Sequence, residues 1–96
     1  MKNETKARII NIGRMVARVI RRDIERGLIL PNGPDVKPNR ANVKAMARKR
    51  AVWAWPDRDE IRNMLKTKPQ YELFDRYVYQ RLRRDGALKA LRELTA

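Results

Sequence analysis

Apolar residues in this chain recur at three- and four-residue steps, and no stretch alternates them with polar ones. That is the period of the α-helix, and it leaves no pattern for a half-buried strand. The longest such run is N-terminal. Ile9, Ile12, Val16, Val19/Ile20 and Ile24 share one face, which predicts a helix over residues 4–30, with Asn3 or Thr5 as its cap. Gly13 and Ala17 lie four apart on that face. Two small residues there let another helix approach closely, whereas a merely tolerated glycine costs about 1 kcal/mol against alanine.

Residues 31–38, Pro-Asn-Gly-Pro-Asp-Val-Lys-Pro, interrupt the helical period. Three prolines block helix continuation and Gly33 permits a turn, so this segment reads as a loop. We take it as a connection inside one domain, since the first helix cannot bury its apolar face alone. A second helix is expected over residues 39–55, capped by Asn39 or Asn42 and stopped by Trp55-Pro56. Its apolar side gathers Val43, Met46, Ala47, Trp53 and Ala54. A short third helix starts at Asp57, where Asp57 and Glu60 have capping-box spacing, and stops near Lys68. Thr67-Lys68-Pro69-Gln70 opens a fourth, with Tyr71, Phe74, Tyr77/Val78 and Leu82 facing in and Arg76, Tyr79 and Arg83 facing out. Gly86 ends it near Asp85. Leu88, Leu91 and Leu94 then make a last amphipathic turn or two.

These expectations add up to an all-α fold. Residues 1–96 form one small domain, a bundle of about four helices: a long N-terminal helix, the Pro-rich loop, then two to three shorter helices. Such a small core gains from dimerisation, and a homodimer is compatible with the sequence.

Charge sets the expectation for function. The chain carries 24 Lys and Arg against 11 Asp and Glu, a net charge of +13 on 96 residues. Self-repulsion opposes folding, so such an excess points to a polyanionic partner, nucleic acid first of all. The first 55 residues carry most of it. On the first helix Arg14, Arg18, Arg21, Arg22 and Arg26 cluster opposite the isoleucines, with Arg8 at the edge. Arg18, Arg22 and Arg26 form a row of like charges at four-residue steps, which destabilises an isolated helix and which a row of phosphates would neutralise. The second helix adds Lys44, Arg48 and Lys49 on its polar side and Arg50 at the margin of its apolar side.

The stretch Lys44 to Trp55, K-A-M-A-R-K-R-A-V-W-A-W, joins four cations to two tryptophans. Over those residues it resembles the arginine-rich RNA-binding helices of phage antitermination N proteins, which also end in an aromatic. No residue role is carried over from that resemblance. Trp53 shares a face with Met46 and is expected in the core. Trp55 projects toward Lys44 and Arg48, where an exposed indole could stack on an unpaired base.

Catalysis is not expected. The chain has no histidine, cysteine or serine, so the commonest general base and nucleophiles are missing. Asp57, Asp59 and Glu60 lie in a first helical turn and read as caps rather than metal ligands. Neither Pro-Asp pair is followed by the acid-x-Lys element of a PD-(D/E)xK nuclease, and there is no Gly-rich phosphate loop. Neither candidate helix-turn-helix joint contains glycine, and each contains proline. No cofactor or metal is expected.

The expectation is therefore a small, basic, non-catalytic nucleic-acid-binding protein, for DNA or RNA. Phosphate contacts would come mainly from Arg14, Arg18, Arg21, Arg22, Arg26, Lys44, Arg48, Lys49 and Arg50, with Trp55 beside them. The style suits a phage or mobile-element regulator. The alternative is a protein-interaction module or inhibitor whose basic face docks on an acidic or nucleic-acid-binding surface of another protein. A basic amphipathic first helix also fits a membrane surface, though no apolar run is long enough to span a bilayer. The chain reads as cytoplasmic, in the nucleoid or a host cytosol.

Overall fold

The computed structural model describes residues 1–28 and 39–93. Five helices follow one another: α1 (Asn3–Glu25), α2 (Arg40–Ala54), α3 (Arg58–Met64), α4 (Lys68–Arg84) and α5 (Ala87–Glu93). Among the described residues there is no strand. The expected all-α class holds, with five helices in place of about four, because α5 is a helix in its own right. The loop at 31–38 and Leu94 lie outside the described residues.

α1 stops five residues earlier than its apolar period suggests. Gly27 takes a left-handed φ of 68°. That conformation lets the Gly27 N–H reach the Ile24 carbonyl at 3.2 Å and the Leu28 N–H reach the Asp23 carbonyl at 2.9 Å. This Schellman closure satisfies carbonyls that the helix end would leave orphaned. Leu28 is 62% exposed, outside the apolar stripe it continues in sequence. At the other end the cap position is Lys2, without a side-chain cap, rather than Asn3 or Thr5.

The other helix starts follow their sequence signatures. Asn39 Oδ1 accepts from the Asn42 N–H at 2.8 Å. Asp57 Oδ1 accepts from the Asp59 and Glu60 N–H groups at 3.0 and 3.1 Å. Gln70 Oε1 accepts from the Lys66 and Thr67 N–H groups, both at 2.9 Å. Trp55, extended before Pro56, ends α2.

α1 and α4 run side by side in the same direction, Gly13 against Tyr77 and Arg21 against Asp85. Gly13 makes this possible: a Cβ there would stand 2.8 Å from Tyr77 Cδ1. α2 runs opposite to α4, with Arg40 over Tyr79 and Arg48 over Tyr71. The core between them is wholly apolar among the described residues, with Phe74, Met46, Ile9, Ile12, Ile20 and Leu82 fully buried. α3 and α5 pack on its ends and bury Ile61, Leu88 and Leu91.

Two tryptophans exchange the places expected of them. The buried positions of α2 include the i, i+4, i+8 row Val43, Ala47 and Ala51, whose next member is Trp55. Trp55 is accordingly half-buried against the core, and its indole N–H donates to Glu60 Oε2 at 2.8 Å. Trp53 falls off that row and is 74% exposed. Tyr79, expected to face out, is also half-buried, with the Arg40 guanidinium 5.2 Å from its ring centre.

Candidate functional site

α1 carries Arg14, Arg18, Arg21 and Arg22 to the surface, its C-cap residue Arg26 follows, and all five are exposed. At 100° per residue the first three turn toward α4 and the last two lie further round the helix. The close α1–α4 seam that Gly13 permits brings a fourth arginine to the first three. Arg14, Arg18 and Arg21 of α1 and Arg81 of α4 line a cleft of about 140 Å³, with Asp85 as its single acid.

Asp85 is already engaged on two sides. Arg81 Nε donates to its Oδ2 at 3.3 Å, and Arg21 Nη1 lies 3.9 Å from the same oxygen. Arg21 is further shared with Glu25 at 3.5 Å. Among the described residues no carboxylate pairs with Arg14, Arg18, Arg22 or Arg26. The cleft thus holds two free guanidinium groups beside two that one carboxylate orients. Arg81 was not singled out in the sequence. Its only signal was its place four residues from both Tyr77 and Asp85, at the edge of the apolar side of α4.

The cations of α2 do not join this cleft. Lys44 and Arg48 face α4 at Asp75 and Arg50 faces α1 at Asp23, so most are tied to acids. Arg48 Nη2 donates to Asp75 Oδ2 at 3.1 Å, and Lys44 Nζ stands 3.8 Å from it. The Arg48 guanidinium also lies 4.2 Å over the Tyr71 ring. Burial holds the Asp75 carboxyl above the ordinary 3.8, and the nearby charges of Arg48 and Lys44 offset this only in part. Arg50 Nε donates to Asp23 Oδ2 at 3.0 Å, with both side chains more than four-fifths buried. Arg48 and Arg50 are therefore fastenings of α2 to α4 and α1. Lys49 is exposed, with its Nζ 6.0 Å from the Trp53 ring centre.

Of the residues expected at the site, the fold brings together Arg14, Arg18 and Arg21. It leaves Arg22 and Arg26 on the adjoining surface, sets Lys44, Arg48 and Arg50 into ion pairs, and turns Trp55 inward. The exposed indole beside a lysine is that of Trp53.

Neither a family model, nor a curated protein, nor a solved structure matches this chain. Among the described residues no helix is long and apolar enough to cross a membrane.

Proposed function

We propose that the protein binds nucleic acid without catalysing a reaction on it, and that the α1–α4 arginine cleft anchors a phosphate of the bound strand. One observation carries this reading: four arginines converge on a cleft with one acid, and two of them have no carboxylate partner among the described residues. Guanidinium forks match phosphate oxygens in geometry and charge. A single phosphate would need only the cleft. The exposed arginines continue to Arg26, twelve residues or roughly 18 Å along the axis, which suits a repeating anion better than an isolated one. Lys49 and the exposed Trp53 ring offer a cation and a stacking face at a second place. A small basic regulator of the phage or mobile-element kind is the role this would serve.

The test is fluorescence anisotropy with labelled duplex DNA, single-stranded DNA and hairpin RNA, from about 50 to 200 mM salt. Tight binding to one form with a steep negative salt slope is expected. Arg14→Gln/Arg18→Gln should weaken it and flatten the log–log slope by roughly 2. No binding of any form at the lowest salt would remove the proposal and leave an acidic protein partner to be sought.

A further inference from the structure

A second surface is built differently from the arginine cleft. The end of α2, α3 and the start of α4 enclose a groove of about 490 Å³. Its position near Tyr71 puts it roughly 15 Å along α4 from Arg81. The floor is aliphatic: Val52, Ile61 and Leu65. Ile61 and Leu65 are buried by the fold, but Val52 remains 47% exposed. The rim is cationic. Arg58, Arg62 and Lys66 are exposed, and among the described residues none of the three pairs with a carboxylate.

Nearby acids do not serve this rim. Asp57 caps α3, Glu60 takes the Trp55 indole N–H, and Asp59 is not in the groove wall. The one aromatic wall, Tyr71, is covered by Arg48, whose charge is committed to Asp75. A nucleobase would therefore find no open ring among the residues that line this groove. An apolar side chain flanked by carboxylates would satisfy both parts, since the floor excludes water and the rim supplies the opposite charge.

We propose that this groove docks an acidic amphipathic segment of a partner protein. One large apolar side chain sits over Val52, Ile61 and Leu65, and the carboxylates on either side pair with Arg58, Arg62 and Lys66. The site is separate from the nucleic-acid cleft and does not depend on it.

The test is a methyl-resolved NMR titration of the full chain with three peptides. The first is Glu-Glu-Leu-Phe-Glu-Asp-Leu-Glu, the second replaces its apolar residues by serine, and the third replaces its acids by glutamine. Only the first should shift the Val52, Ile61 and Leu65 methyl signals. Arg58→Glu/Arg62→Glu, at two exposed positions, should leave the far-ultraviolet circular dichroism unchanged and weaken peptide binding about tenfold or more. Arg14→Gln/Arg18→Gln should leave it intact. Three results would overturn the proposal: no shifts at millimolar peptide, equal shifts from the serine control, or equal shifts from the glutamine control.

Discussion

Trp53 and Trp55 are two residues apart and do opposite things. Trp55 contributes a half-buried ring and a charge-assisted hydrogen bond to Glu60. Trp55→Ala should cost about 2–4 kcal/mol in urea denaturation, near the lower range for a large core residue. Trp53 contributes little to the fold at 74% exposure. Trp53→Ala should change stability by no more than about 0.5 kcal/mol. It should weaken single-strand binding by about 1–3 kcal/mol and leave duplex binding nearly unchanged, which paired anisotropy titrations would read. Asp75 is a third position where placement decides behaviour. Burial raises its pKa above the unfolded value of 3.8, against the pull of Arg48 and Lys44. The folded protein therefore holds that proton more tightly than the unfolded chain, and the stability this contributes at low pH is lost as pH rises through the folded pKa. In Asp75→Asn that loss is absent. The stability difference between variant and parent should move in favour of the variant as pH rises upward from 3.8, followed by denaturation at a series of pH values. A difference that moves the other way would mean that Arg48 and Lys44 outweigh the burial.

At the scale of elements, the α1–α4 seam is the contact from which the cleft follows. A methyl group at Gly13 would meet Tyr77 Cδ1 at 2.8 Å and the Val78 side chain at 3.5 Å. Gly13→Ala gains about 1 kcal/mol of helix propensity, and overpacking costs about 1–3 kcal/mol. Denaturation should show a variant no more stable than the parent, and Gly13→Val should be worse. A gain of the full propensity term would mean that the helices can separate freely. Much of this architecture was legible in the chain because its signals are local. The isoleucine period of α1, the Gly13–Ala17 pair, Asn39, Asp57 and the Thr67–Gln70 start each act within a few residues. The end of α1 was harder: Leu28 to Leu30 prolong the apolar period, while the Gly27 turn that overrides it depends on one backbone conformation. The polar partners were not legible at all. Arg48–Asp75 and Arg50–Asp23 each join positions 27 residues apart. A helical projection places those arginines on a face but cannot say that acids wait opposite. For the same reason it could not add Arg81 to the cleft.

For the molecule as a whole, the acids it has are largely used internally, and the outward field is that of the cations. Asp23, Asp75 and, through Arg21, Asp85 link helices, and Asp57 caps one. The remaining exposed ion pairs, such as Glu4–Arg8 and Lys68–Glu72, are worth about 0–1 kcal/mol each at best. A net charge of +13 then acts mostly as repulsion within the folded chain. Salt should have two opposite effects on one protein. Screening the repulsion should raise the melting temperature, while counterions competing for the same arginines should weaken nucleic-acid binding. Arg14→Gln/Arg18→Gln separates the two. The variant removes two cations that have no carboxylate partner among the described residues, so its melting temperature at low salt should equal or exceed that of the parent. Its salt-induced rise in melting temperature should be smaller, and its affinity for nucleic acid lower. Thermal melts and anisotropy on the same samples would measure both. A parent protein that melts lower as salt is added would show that its ion pairs outweigh its repulsion. The excess arginine would then be part of what holds the fold, and the argument from charge to a polyanionic partner would lose its basis.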